Sequence, residues 1–334
     1  MGEWIIGDLH VHSDHCEDGV VSIAEIVKRA KPFCDFIGIS GHAKGSDNWG
    51  VGQYRDILEA RKSNPGFPIF HTGEIEFPIE RHTMVIAGPD DDEAGLQREL
   101  VKRFDRLRGA VGIEKACETM AFIDGWSDKP RFMIFNHPNS PNVPYDVFER
   151  LSAYPSFKVI ACYDRGERRA PQTWDIGSEW DKLLMAGKRI WTRFGSDFHQ
   201  HFSDGGKDYY PGEFAQDNLY VKDRSYRSII DAYMSGNYFC TIQRIVSELT
   251  LTIIDDALDI SFIPNLPVER MEIISDGRLI ETVNDIGREP FRRTVRVSRG
   301  SYYRLRGFGV EQDRLHSPGK VTPVFLSNPV FRKE

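Results

Sequence analysis

Short apolar runs alternate with helix-period stretches through the first two thirds of the chain. Residues 4–11 (WIIGDLHV) predict a strand, and Ser22 with Glu25 three residues later forms a capping box opening a helix to about Ala30. A strand at 35–40, a helix at 52–62, and strands at 68–76 and 82–87 follow, then helix-prone stretches at 91–108 and 112–124. Further strands are expected at 131–136, 157–163 and 189–195, with helices near 144–152, 178–187 and 225–235. Strand–helix alternation of this kind implies a largely parallel sheet, open or closed into a barrel.

From about residue 245 the texture changes. Segments 247–254, 258–263, 269–275, 293–297 and 301–308 are short and strand-like, with turn signals between them. Asp276-Gly277 marks a hairpin and Arg299-Gly300 a second turn. No helix-length pattern occurs there, so a small antiparallel β-sandwich over 244–334 is expected, following a first domain over 1–243. That C-terminal unit carries no ligand-type cluster. It could complete a pocket wall, bind a glycan, or pair two chains into a homo-oligomer.

At 334 residues with 40% hydrophobic content, the chain can bury a substantial core. Its net charge of −7 disfavours a stable nucleic-acid partner, which would need a basic face. A small phosphorylated substrate stays compatible, because bound cations would supply local positive charge. Five cysteines without C-x-x-C spacing read as reduced thiols, and neither a signal peptide nor a long apolar span is visible. The expectation is a cytoplasmic chain with no membrane partner.

The chemistry lies at the predicted strand ends. His10-Val11-His12 follows the first strand, where alternation puts both imidazoles on one face. Gly41-His42 follows the second; Glu74, Asn136-His137 and the D-x-H of Asp197 and His199 also stand at or just past strand ends, and His82 completes the set. In α/β folds that edge carries the chemistry, since the strand holds a ligand rigidly and the loop beyond it is free. Imidazole and carboxylate without thiolate suit two or three divalent ions such as Zn²⁺, Mn²⁺ or Fe²⁺ in a catalytic site, and a carboxylate like Glu74 can bridge two of them. A lone histidine is more often a surface or core residue; the ordered set reverses that weighting. His71, His201 and His316 fit no position in it and read as surface residues. Cys16 reads as a buried thiol, Arg193 as structural, and His15 as either a spare surface imidazole or a metal participant.

DLHVHS, GH, GEIEF, HTMVIAG, NHP and GSDFH, in this order over roughly residues 4–240, resemble the PHP (polymerase and histidinol phosphatase) superfamily. The C-terminal segment is more weakly similar to the appendage of its carbaryl-hydrolase-like branch. The resemblance implies an α/β fold, a distorted (β/α)7 barrel with up to three metals at the strand C-termini. Carried over by position, His10, His12, Glu74 and Asp197 would hold the first ion, and Glu74, His82 and His137 the second. Asp18, His42 and His199 would hold the third. Two departures stand out. Gly41-His42 replaces an Asp-His pair, and the loop after His12 is one residue longer, so His15 or Glu17 could replace Asp18.

The activity implied is metal-dependent phosphoester hydrolysis of a small metabolite or nucleotide by a metal-bridging hydroxide, with Glu74 at its centre. His199 or a metal-held water would protonate the leaving group. Arg165, in the basic turn CYDRGERR with Arg168 and Arg169, is the first candidate for gripping phosphate oxygens, and Lys44 a second. A solvated basic turn is the plainer reading of the same residues. The same site could serve a carbamate, amide or ester hydrolase, and a non-enzymatic metal-binding module is the remaining alternative.

Overall fold

The computed structural model describes residues 2–42, 49–77, 81–104, 112–136, 143–164, 175–200, 209–297, 300–309 and 323–332. The first half runs β1 (Glu3–Val11), α1 (Ile23–Ala30), β2 (Phe36–Ile39), a π-helical turn leading into α2 (Tyr54–Ser63), β3 (Ile69–His71), β4 (Ile75–Phe77) and β5 (Arg81–Ile86). Next come α3 (Glu93–Phe104), α4 (Gly112–Asp124), β6 (Phe132–Phe135), α5 (Tyr145–Leu151), β7 (Phe157–Asp164), α6 (Glu179–Met185) and β8 (Trp191–Gly195). The second half continues with β9 (Ala215–Val221), α7 (Tyr226–Ser235), β10 (Tyr238–Ile242), β11 (Val246–Ile254), β12 (Ala257–Pro264) and β13 (Val268–Ser275). It closes with β14 (Arg278–Ile286), β15 (Phe291–Arg296), β16 (Tyr302–Phe308), β17 (Phe325–Ser327) and β18 (Val330–Phe331). The capping expectation holds at α1: Ser22 accepts a hydrogen bond from the Glu25 amide, and Ile23, Ile26, Val27 and Ala30 are buried.

Among the described residues the strands form three sheets. One is ten-stranded, in the order β14-β13-β16-β17-β10-β9-β1-β2-β3 with β18 against β16; the second is β4-β5-β6-β7-β8; the third is β11-β12-β15. Among the named strands of the described residues, parallel pairing occurs in β1-β2-β3 and β6-β7-β8. β5 is antiparallel to both neighbours, because the three residues joining β4 to β5 are far too few for a parallel crossover. β9 pairs antiparallel with β1 and β10. Among the described residues no ladder closes a barrel. The first two sheets meet instead through single parallel bridges, Val11 with Phe198 and His42 with Glu74. Both seams therefore lie at the edge where the candidate ligands stand.

The strands after residue 243 do make two layers. β11 and β12 share an apolar cluster with β13, β16 and β17 that includes Val246, Leu258, Ile260, Phe262, Met271, Ile273, Leu305 and Phe325. These layers are not a free-standing sandwich, because β17 pairs with β10 and so joins one of them to the sheet that carries β1. A buried ion cluster adds to this continuity: Arg304 and Tyr302 of β16 both donate to Asp181 of α6. Asp276 and Gly277 both adopt positive φ, 47° and 66°, in the two-residue connection between β13 and β14, the hairpin their sequence predicts.

Candidate metal centre

His10 and His12 are fully buried at the end of β1, two residues apart and on one face. Their backbone is held from two sides. Asp8 accepts from the His10 amide at 3.0 Å, the His12 amide donates to the Phe198 carbonyl at 2.9 Å, and Phe198 returns a bond to the His10 carbonyl at 3.2 Å. This lacing carries the turn after β8 against β1 and brings in Asp197, whose φ of 48° is a left-handed conformation uncommon outside glycine. Glu74 comes from the segment joining β3 to β4, with its amide bonded to the Gly41 carbonyl. His82 lies at the start of β5. Because β5 runs antiparallel, its first residues reach the same edge as the ends of β1 and β2.

The donor atoms converge. His10 Nε2 lies 3.2 Å from Glu74 Oε1 and 3.1 Å from Asp197 Oδ1; His12 Nε2 lies 3.5 Å from Glu74 Oε2 and 3.2 Å from Asp197 Oδ1. Glu74 also faces His82 Nδ1 and His42 Nδ1, each at 3.3 Å, one through each oxygen. Asp18 Oδ2 stands 3.1 Å from His42 Nε2 and 3.4 Å from His199 Nε2. Three groups result, each compact enough to hold one ion: His10, His12, Glu74 and Asp197; His42, Glu74 and His82; and His12, Asp18, His42 and His199.

The residues fit a cation. Donors each about 2.0–2.2 Å from a common ion are separated by roughly 3.0–3.5 Å, and these groups are spaced that way. Burial lowers His12 to about 4, so its imidazole is neutral at pH 7 and offers a lone pair. Hydrogen bonds from His199 and His42 hold Asp18 far below the usual carboxylate range, which keeps it anionic. The Nδ1–H of His199 donates to the Asp197 carbonyl at 2.8 Å, directing Nε2 toward Asp18.

Several neighbours take supporting positions. Asn136 Nδ2 donates to Glu74 Oε1 at 3.0 Å; the sequence places Asn136 beside His137 but gives no reason to single it out. Cys16 is a buried thiol, as expected. Its Sγ donates to the Ser13 carbonyl and lies 3.6 Å from His12 Nδ1, on the ring edge away from the carboxylates. Burial pushes that thiol up to about 11, so it stays protonated. His15 pairs with Asp56 at 2.9 Å and joins none of the donor groups. Arg193 is fully buried between Asp8 and Asp217, as its structural reading expects.

His71 corrects the surface expectation. It is 1% exposed, on β3, with Nδ1 3.3 Å from Gln53 Nε2. Gln53 also donates to the Thr72 carbonyl, so this pair fixes the strand that delivers Glu74. The expectations for Lys44, His137, Arg165, Arg168, Arg169, His201 and His316 lie outside the described residues.

Asn136 yields the first prediction. Replacing it by leucine keeps the volume near Glu74 and removes the hydrogen bond. Divalent-ion affinity is expected to fall by about 10–100-fold, the usual consequence of losing a group that orients a ligand. Calorimetric titration of the metal-stripped variant measures this, and unchanged affinity would remove Asn136 from the supporting set.

No family model and no curated protein matches the sequence. Among solved structures, the chain is similar to a two-domain protein containing a predicted PHP-like metal-dependent phosphoesterase from Bacteroides vulgatus ATCC 8482. The two share 13% identity with a TM-score of 0.52 over 98% of this chain and 95% of that one. It is also similar to the lesion-specific endonuclease PfuEndoQ from Pyrococcus furiosus, at 15% identity and a TM-score of 0.48 over 71% of this chain and 57% of that one. The first likeness shows that the chain shares the fold of that two-domain protein along nearly its whole length. Among the described residues, no helix is long and apolar enough to cross a membrane.

Proposed function

We propose that this chain is a metal-dependent hydrolase cleaving a phosphate ester of a small metabolite or nucleotide, with residues 1–243 as the hydrolase unit and 244–334 as its β appendage. The observation that carries this reading is the convergence of imidazole and carboxylate donors from six separate segments on one edge, with Glu74 shared between two groups. The motif series that resembles the PHP superfamily and the fold shared with a predicted PHP-like phosphoesterase support it.

In this reading His10, His12, Glu74 and Asp197 would hold one ion, Glu74 and His82 with His137 would hold a second, and Asp18, His42 and His199 would hold a third. Bound ions would lower the pKa of water toward neutrality and polarise phosphoryl oxygens. The chain's own contribution is placement. The interlaced backbone of β1 and the turn after β8 fixes two imidazoles and Asp197. Asn136 and the His42–Glu74 bridge fix the shared carboxylate. His199 lies on the exposed side of the cluster, where it would either hold the third ion through Nε2 or, with that position unfilled, give a proton to the departing oxygen; with His199 as a ligand, a metal-held water would supply that proton. Arg165, outside the described residues, is the candidate that the sequence offers for gripping the phosphate oxygens.

The test is hydrolysis of p-nitrophenyl phosphate, bis-p-nitrophenyl phosphate and a p-nitrophenyl carboxylic ester by protein supplied with Mn²⁺ or Zn²⁺, beside a His10→Ala/His12→Ala variant. Phosphate-ester turnover that disappears in the variant is the expected result. Turnover of the carboxylic ester alone would overturn the choice of bond while keeping the site.

A further inference from the structure

A cleft of about 980 Å³ lies at the opposite end of the strands from the donor cluster. Trp4 near the start of β1 and Trp191 at the start of β8 form part of its wall, whereas the far ends of those strands deliver His10, His12 and Asp197. Six strand residues at about 3.3 Å each put Trp4 roughly 20 Å from His10. The facing wall is β11, an edge strand of the three-stranded sheet, which contributes Leu251 and Ile253. A space of this size suits a drug-sized molecule.

Its lining is aromatic on one side and held in place. The Trp191 indole donates to the Met234 carbonyl at 3.1 Å, and its ring lies over Gly236, where an added Cβ would come within 2.7 Å. Trp191 meets Phe331 edge-on with centroids 6.2 Å apart. The guanidinium of Arg189 sits 3.6 Å above the Phe331 ring. The cleft's other guanidinium, Arg332, is engaged by Asp256 at 2.8 Å. Among the described residues Arg189 has no such carboxylate, and the lining acid, Asp255, stands away at the β11–β12 turn.

We propose that this cleft is a second ligand site, taking a small organic anion with a flat apolar body: an aromatic sulfonate, carboxylate or phosphate. The tryptophan and phenylalanine rings cover the body, and Arg189 at the rim pairs with the anionic group. The site is independent of the metal centre and does not rest on the reaction proposed for it.

The experiment compares naphthalene-2-sulfonate with its neutral counterpart 2-naphthol by calorimetry on the full chain, its Arg189→Gln variant and the His10→Ala/His12→Ala variant. The sulfonate is expected to bind at least about tenfold more tightly than the naphthol, the worth of one charge-assisted contact. Arg189→Gln should erase that difference and leave the naphthol unchanged; since Arg189 is exposed, the variant should fold normally. The His10→Ala/His12→Ala variant should bind both as the parent does. Equal affinity for the two compounds, absence of binding, an Arg189→Gln variant with parental sulfonate affinity, or loss of binding on disrupting the metal centre would each overturn the proposal.

Discussion

Glu74→Gln is expected to lower phosphoester turnover by at least about a hundredfold, more than the roughly 10–100-fold typical of losing a ligand's supporting group, and to remove at least one bound ion per chain. Both oxygens of Glu74 are engaged: Oε1 faces His10, His82 and the Asn136 amide, and Oε2 faces His12 and His42. Glutamine has nearly the same shape, but its amide nitrogen offers no lone pair and the bridging charge is gone. The metal-free variant should be at least as stable as the metal-free parent, since a buried carboxylate is costly without a cation. What it should lose is the rise in melting temperature on adding Mn²⁺ or Zn²⁺. Elemental analysis, kcat and melting curves with and without chelator measure all three effects. A fully metallated, active Glu74→Gln protein contradicts the assignment.

The largest stability effect is expected at Arg193. This fully buried side chain donates from Nε to Asp217 at 3.0 Å and from Nη2 to Asp8 at 3.1 Å, and Tyr233 donates to Asp217 at 2.7 Å. Arg193→Met leaves two carboxylates buried without a cation, at a cost of about 3–5 kcal/mol. The deficit should depend on pH. Burial already pushes Asp217 up to about 6 even with Arg193 beside it. A carboxyl raised in the folded state keeps a proton that the unfolded chain has released, so its contribution to stability falls as pH rises from the unfolded pKa through the folded one. Without the guanidinium that window extends upward, and the gap between variant and parent should widen from pH 6 to pH 8. Urea midpoints at the two pH values test this. A deficit below about 1 kcal/mol, or one independent of pH, would show that the ion cluster does not hold β8 and β9 together.

Much of the donor set was legible because its physics is local. H-x-H on a strand and D-x-H after one each impose a shared face, so His10 with His12 needs only strand alternation. Asn136 was hidden because its role is a contact with Glu74, 62 residues away, that no spacing encodes. β9 was missed for the same reason as Arg193's partner. Gln216, Asp217 and Asn218 form a polar run, yet all three are buried, and Asp217 is matched by charge from β8. Periodicity treats buried and solvated polar residues alike. His71 misled in the opposite direction: outside every motif, it is buried on β3 with its Nδ1 beside Gln53. The largely parallel sheet expected from strand–helix alternation was altered by a three-residue connection after β4 and by β9 running back along β1. The expected sandwich was absorbed on one side into the main sheet through β17, whose two partners come from distant parts of the chain.

We infer from their convergence that these imidazoles and carboxylates form a multi-ion centre. Calorimetric titration of chelator-stripped protein with Mn²⁺ or Zn²⁺, run in parallel on the His10→Ala/His12→Ala variant, tests it most directly. At least two ions per chain are expected in the parent, fewer in the variant, and a rise in melting temperature that follows occupancy in the parent. Parent protein that takes up no divalent ion, or a variant that binds as many as the parent, would contradict it.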